Sequence, residues 1–368
     1  MIAAEAPQQW MALVSDAFGG IGGIAQYNRD LLSAVAVSGA GNRIYVLPRH
    51  APKPALPPPG ITQMPPMARM AFVIAALSLA ARKSFDVIFC GHTHLAPLAA
   101  HIARRKGAKL IVQTHGIEAW AQLRGTWRRA IERSDLILCV SRYTRRIVLE
   151  QISVPPERVK VLSNTVGEVF RPGDDASFRR RQGWENKRIL LTVGRLESRE
   201  RYKGQDRVIA LMPQLLAWGH DVIYLIVGDG DDRLRLEQLA RQAKVEDRVH
   251  FLGALDADRL VEVYRGADLF VMPSTGEGFG ISFLEAMASG TPALGLAAGG
   301  APDALGDGAL GRIVCESELL SALHDALSSP RPDPQALSAA VLARFSRNVF
   351  RNSVNGTLAR LSNPQVSI

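Results

Sequence analysis

A short apolar run, Leu269–Met272, passes through Pro273 into a loop with three glycines, Gly276, Gly278 and Gly280. The loop opens a segment in which Ile281, Leu284 and Ala288 recur at helical spacing, until Gly290 and Pro292 stop it. A buried strand that feeds a helix through glycines belongs to an α/β layer. The same turn gathers bare backbone N–H groups and the positive end of a helix dipole at one point, which makes an anion site.

Two carboxylates sit on this unit with seven residues between them, Glu277 in the loop and Glu285 in the helix. Glu277 reads equally as a first-turn acid that offsets the dipole or as a ligand contact. Glu285 is flanked by Phe283, Leu284, Ala286 and Met287, where an unpaired carboxylate costs several kcal/mol. It therefore requires a partner or a ligand hydroxyl.

The Glu, seven residues, Glu spacing with E-G-F-G inside it resembles the donor-site signature of retaining glycosyltransferases, family 4 above all, which have the two-domain GT-B fold. The resemblance extends along the chain. After a first strand at Trp10–Ser15, G-G-I-A-Q-Y-N carries Gly22 and Gly23 into a helix from Ile24 to Leu32 and looks like the family's first-loop pattern. It does not fit the dinucleotide fingerprint, and taken alone it is also a plain tight turn. Strands at Arg43–Leu47, Phe85–Cys90, Lys109–Gln113, Leu136–Val140 and Val159–Leu162 follow, with a loop over Ala51–Pro66, a helix over Met67–Ala81, and Ser141 as a helix N-cap. His115 stands at a strand's C-terminal end before Gly116, where open α/β sheets place ligand contacts. The matching histidine of the family lies beside the donor sugar. His92 and His94 have chelating spacing but no acidic or cysteine partner in sequence, so no metal site is expected.

In the second half, strand Ile189–Val193 leads into G-R-L-E-S-R-E-R-Y-K-G. Arg195 as a planar fork and Lys203 as a point charge suit a diphosphate, and the family uses both against the leaving group. Arg199, Glu200 and Arg201 between them are expected to face solvent. Strand Val222–Val227 ends at Gly228-Asp229-Gly230 before helix Arg233–Gln242. The run R-V-H-F-L-G, with Val249 and Leu252, resembles the segment whose backbone reads the nucleotide base. Strand Ala293–Leu296 precedes G-G-A-P-D, where Asp303 stands in place of the family's usual Glu.

The chain has 368 residues, 47% hydrophobic and 21% charged, a soluble globular balance with room for two domains. The resemblance implies an α/β, GT-B architecture of two Rossmann-like doubly wound domains facing across a cleft. Residues 1–166 would form an acceptor-side domain and 167–343 a donor-binding domain, and residues 344–368, with a helix over Arg344–Leu361, would return to the first domain. Cys90, Cys139 and Cys315 are too scattered for a disulfide framework and fit a reducing compartment. Glu5, with no basic segment before an apolar core, argues against a secretory signal, and the apolar stretch Met70–Ala81 is too short to span a bilayer.

Residues 1–165 hold 20 Lys+Arg against 9 Asp+Glu, so the net +9 of the chain resides in its first half. With 6% aromatic residues and no recognition motif, nucleic acid is not the expected partner. Arg69, Arg82 and Lys83 around the apolar stretch, with Arg104, Arg105, Lys106 and Lys109, fit an anionic membrane surface or lipid-linked substrate better; a solvated basic face is the alternative.

Carried over from the family, the expected activity is retaining, metal-independent transfer of a hexose, mannose or glucose, from a nucleoside-diphosphate sugar to a lipid-linked or saccharide acceptor. Bacterial exopolysaccharide and other polysaccharide pathways use such enzymes, working on the inner face of the cytoplasmic membrane. The sugar nucleotide is a substrate, and no cofactor is expected. His115, Glu277, Arg195 and Lys203 would act on the reacting groups. Gly22, Gly23, Gly228, Val249, Leu252, Gly278, Phe279, Gly280 and Glu285 would line the donor. A GT-B sugar-nucleotide epimerase and a non-catalytic nucleic-acid or membrane-binding protein are the alternatives.

Overall fold

A computed structural model of the chain describes residues 7–38, 41–120, 122–174 and 176–362, so Glu5 and the last residues of the expected C-terminal segment lie outside it. The chain divides into two compact units, Met1–Thr165 with Arg347–Ile368, and Val166–Ser346.

The first unit runs β1 (Gln9–Asp16), α1 (Gly23–Ser38), β2 (Arg43–His50), β3 (Ile61–Gln63), α2 (Arg69–Arg82), β4 (Val87–Cys90), α3 (Ala96–Lys106), β5 (Lys109–Thr114), α4 (Ile117–Trp120), α5 (Gly125–Glu132), β6 (Leu136–Cys139), α6 (Arg142–Gln151) and β7 (Val159–Val161). Its strands pair in parallel in the order β3-β2-β1-β4-β5-β6-β7. Parallel neighbours need crossovers, and helices then cover both faces, which is why β4 and β6 are buried at every residue. One face packs Met11, Leu13, Ile88 and Val112 against Phe72 and Ala76 of α2, Ala99 and Ile102 of α3, Ile131 of α5 and Val148 of α6. Helix α2 buries only Phe72, Ala76 and Ala80, at spacing i, i+4, i+8, and leaves Met70, Ile74 and Leu77 exposed.

The second unit runs α7 (Ala176–Gln182), β8 (Arg188–Val193), α8 (Gln205–Ala217), β9 (Val222–Val227), α9 (Arg233–Gln242), β10 (Val249–Gly253), α10 (Ala257–Gly266), β11 (Leu269–Met272), α11 (Ile281–Ala288), β12 (Ala293–Leu296), α12 (Ala301–Ala304), β13 (Arg312–Val314), α13 (Leu319–Ser328) and α14 (Pro334–Phe345). Its six parallel strands lie in the order β10-β9-β8-β11-β12-β13. Both units are Rossmann-like doubly wound sheets.

The last helix, α15 (Arg347–Ser362), belongs to the first unit. It covers the other face of that sheet, with Val354 and Leu358 beside Leu31 of α1 and Trp10, Phe89, Ile111 and Leu138. The continuous helix expected over Arg344–Leu361 is therefore two helices. Extended backbone at Ser346 (ψ 158°) closes α14, and α15 starts at the next residue. Strand β3 interrupts the expected loop over Ala51–Pro66. No helix among the described residues is long and apolar enough to cross a membrane.

Candidate functional site

In the second sheet the chain leaves β8 for β9 and β10 on one side, then crosses to β11, β12 and β13 on the other. The strand order reverses between β8 and β11, so the loops leaving these two strands diverge and open a crevice at their carboxyl ends. Arg195 follows β8 and Glu277 follows β11.

Gly194 lets this edge pack closely. A Cβ there would lie 3.3 Å from Lys203 Nζ, so the lysine lies across the glycine, only 13% exposed. Gly228 has φ +134°, and a Cβ on it would lie 1.9 Å from the Gly194 carbonyl oxygen, so only glycine fits. Its N–H donates to the Gly253 carbonyl at 2.8 Å, which brings the end of β10, with half-buried Leu252, to the same edge. Val249 is not brought there. It starts β10, paired with Tyr224, and its side chain lies in the core with Val222 and Ile226. A strand rises about 3.3 Å per residue, so Val249 sits roughly 13 Å from the edge.

Glu200 is buried, contrary to the solvent-facing position expected for it, while Arg199 and Arg201 beside it are exposed. The 3₁₀ helix Ser198–Lys203 kinks at Glu200 (φ −113°, ψ 23°), which turns this side chain inward. Its Oε1 accepts a hydrogen bond from the Arg195 guanidinium. Its Oε2 lies 3.1 Å from Lys203 Nζ, an ion pair off the line of a hydrogen bond. Arg195 is otherwise 63% exposed.

The loop after β11 is held by glycines of the loop after β12. Gly300 N–H donates to the Glu277 carbonyl at 2.7 Å, and a Cβ on Gly300 would lie 2.1 Å from the Gly278 carbonyl oxygen. Gly280, left-handed at φ +94°, is the N-cap of α11 and brings no capping side chain to the first-turn N–H groups. Glu277 is half-buried. Desolvation raises its pKa against the lowering pull of Lys203 and Arg195, which places all three in one electrostatic cluster. The Phe279 ring is buried edge-on to Phe345 at 5.8 Å, so the ring packs the loop. Glu285, buried on α11, accepts a hydrogen bond from the Tyr264 hydroxyl at 2.9 Å, and burial pushes its pKa up to about 7. Tyr264 was not anticipated, since its 21-residue separation from Glu285 follows no periodicity.

The first sheet repeats the plan, with its reversal between β1 and β4. Gly22 (φ +93°) and Gly23 lie exposed after β1 where α1 begins, and a Cβ on Gly22 would meet nothing within 4 Å. His115, after β5, donates from Nε2 to the Gly91 carbonyl at 3.0 Å, because a carbonyl can only accept; Nδ1 is then a bare acceptor. Its own N–H donates to the Glu118 carboxylate, and its ring meets Tyr27 edge-on at 5.3 Å. Desolvation lowers its pKa, so the ring is neutral at pH 7. The His92 and His94 rings lie 4.8 Å apart with their planes tilted by 56°, and among the described residues no three His, Cys, Asp or Glu are grouped to hold a metal ion. The three cysteines are free.

Residues 174–341 match the family Glycosyl transferases group 1, and residues 21–167 match Glycosyltransferase Family 4. The GDP-mannose-dependent alpha-(1-6)-phosphatidylinositol monomannoside mannosyltransferase of Mycolicibacterium smegmatis is 33% identical over 64% of this chain and 66% of that protein. The D-inositol 3-phosphate glycosyltransferase of Mycolicibacterium vanbaalenii is 31% identical over 63% of this chain and 54% of that protein. The chain thus spans less than two thirds of the length of either relative. Among solved structures, sucrose-phosphate synthase from Thermosynechococcus elongatus superposes with a TM-score of 0.79 at 21% identity, over 97% of this chain and 100% of that one. Anabaena HepE in complex with UDP-glucose gives 0.77 at 21% identity, over 96% of this chain and 99% of that one. These likenesses establish the fold, which is GT-B. Matched in both of its domains, the chain belongs to the group 1 glycosyltransferases with a family 4 first domain.

Proposed function

We propose that the chain is a retaining, metal-independent glycosyltransferase that moves a hexose, mannose foremost, from a nucleoside-diphosphate sugar to a lipid-linked or saccharide acceptor. One observation carries the reading: Arg195 and Lys203 share an electrostatic cluster with Glu277 where the second sheet reverses, at the uncapped start of α11. Two cations and free N–H groups suit a diphosphate, and the carboxylate suits sugar hydroxyls. The mannosyltransferase relative named for GDP-mannose and a phosphatidylinositol mannoside, and the neighbour bound to UDP-glucose, support this substrate class.

On this reading the bond from the anomeric carbon to the diphosphate oxygen breaks, and the charge growing on that oxygen is met by Arg195, Lys203 and the start of α11. The acceptor hydroxyl attacks from the same face, and its proton passes to the departing oxygen. Glu277 orients sugar hydroxyls, Glu285 orients the ribose while held by Tyr264, and neutral His115 offers Nδ1 to a sugar hydroxyl. The two cations and the N–H groups supply the positive charge that a divalent metal would otherwise bring, and no cofactor enters.

The acceptor belongs with the first domain, which we place peripherally on the anionic inner face of the cytoplasmic membrane. Helices α2, α3 and α5 pack on one face of that sheet. They carry exposed Met70, Ile74 and Trp127 and, on or next to the same helices, exposed Arg82, Lys83, Arg104, Arg105, Arg128 and Arg129. Shallow apolar burial among cations is the chemistry of reversible attachment to acidic lipid.

A thermal-shift screen of GDP-, UDP- and ADP-sugars tests the donor site, since a ligand at 100 times its Kd stabilises by about 2.7 kcal/mol. NMR of the product formed with a polyprenyl-diphosphate or phosphoinositide acceptor then reads the anomeric outcome. No shift with any sugar nucleotide, or an inverted product, overturns the reading.

A further inference from the structure

The pair of cations at the end of β8 is not presented bare. Glu200 is buried between Arg195 and Lys203, with one oxygen toward each. Glu197, more exposed, takes the outer side of Arg195, with one oxygen 3.5 Å from its guanidinium and the other 2.7 Å from Arg199. Here the backbone kinks to bring Glu200 in. Glu277 acts on the same two cations, and Glu197 lies 3.5 Å from the outer side of Arg195, so carboxylates already surround the pair. A diphosphate reaching Arg195 and Lys203 must therefore compete with a carboxylate already held by both.

We infer that Glu200 is a positioning residue that fixes the spacing of Arg195 and Lys203 and acts as their internal counter-ion, exchanging the Arg195 guanidinium with the diphosphate so that the product can leave. The inference deepens the donor-site reading above and rests on it. Charge-assisted hydrogen bonds are about twice as strong as neutral ones, so a guanidinium shared with Glu200 binds phosphate less tightly than a free one. Burial keeps the competing carboxylate unscreened by salt. Lys203, largely covered and spanned by Gly194, stays in place; exposed Arg195 is the arm that swings.

The test is the affinity of GDP and UDP, measured calorimetrically on the full chain, with donor KM and kcat measured alongside. Glu200→Gln keeps the shape and loses the charge. The nucleoside diphosphate should then bind about tenfold tighter and donor KM should fall, while kcat falls as product is retained. A residue that merely supports the loop would give the opposite split, with raised KM and weaker nucleotide binding. Glu200→Asp keeps the charge but withdraws it by one methylene; it should tighten binding about threefold and serves where the amide variant fails to fold. Unchanged or weaker nucleotide binding in the folded variants overturns the role of Glu200. Wild-type protein that binds neither GDP nor UDP overturns the donor-site reading itself.

Discussion

Tyr264 donates its hydroxyl to Glu285 Oε2 at 2.9 Å, and both groups are buried. The pair explains how a carboxylate is accommodated among Phe283, Leu284 and Met287, and it predicts a pH dependence. Burial raises the Glu285 pKa from 4.5 to about 7, so the folded state keeps a proton that the unfolded chain has lost between those values. The stability contributed by this group is full below about 4.5 and is lost as pH rises through 7. Glu285→Gln removes the titration. Unfolding free energies from urea titrations between pH 4.5 and 8 should show wild type falling relative to the variant, by up to about 3 kcal/mol. Parallel pH profiles would show that Glu285 ionises normally.

Arg195→Ala and Lys203→Ala should each lower turnover by about 10²-fold, the cost of removing one donor to developing negative charge, with thermal midpoints close to wild type. Wild-type kinetics in both variants would remove the donor site from the end of β8.

Much of this site is legible in the sequence because its strands are unbroken apolar runs. Val222–Val227, Leu269–Met272 and Ala293–Leu296 coincide with β9, β11 and β12, and the glycines after them mark the crevice edge. What escapes has physical causes. β3 and β13 are three-residue edge strands, too short for a periodic signal. The inward turn of Glu200 depends on one kinked residue, which charge patterning does not encode. Val249 and Leu252 lie on one strand, and only the pairing register shows which of them reaches the edge. Phe279 reads as part of the loop motif, yet its ring is taken up by Phe345, 66 positions later in the chain and visible only in three dimensions.

Glycine substitutions separate shape from mobility. Gly228→Ala adds a Cβ 1.9 Å from the Gly194 carbonyl oxygen at φ +134°, so it should destabilise by about 2–4 kcal/mol and displace Arg195. Gly22→Ala meets no neighbour and pays only for φ +93°, about 1 kcal/mol. Calorimetric unfolding of the two variants checks the order; equal losses would mean that the β8 and β9 loops yield without strain.

Metal dependence follows from the proposed charge balance. Transfer should proceed unchanged in EDTA, because Arg195, Lys203 and the first turn of α11 carry the diphosphate's charge. Activity abolished by the chelator and restored by magnesium or manganese would contradict it.

The proposed membrane attachment draws on the first domain alone, where α2, α3 and α5 carry exposed Met70, Ile74 and Trp127 as well as exposed arginines. A cation near an acidic surface is worth about 1 kcal/mol, and an apolar side chain dipping into the interface adds a term that salt does not screen. The two contributions separate experimentally. Sedimentation with vesicles should rise with the fraction of anionic lipid and fall as the screening length shrinks from about 10 Å at 0.1 M salt to about 3 Å at 1 M. Charge reversal at Arg82, Lys83, Arg104 and Arg105 together should abolish the salt-sensitive part. Trp127→Ala with Ile74→Ser should remove the residue of binding that survives high salt. Both sets should slow transfer to a lipid-linked acceptor and leave hydrolysis of the sugar nucleotide intact, since none of these residues belongs to the second domain. Indifference to anionic vesicles at low salt would make this a solvated basic face and direct the search toward a soluble acceptor.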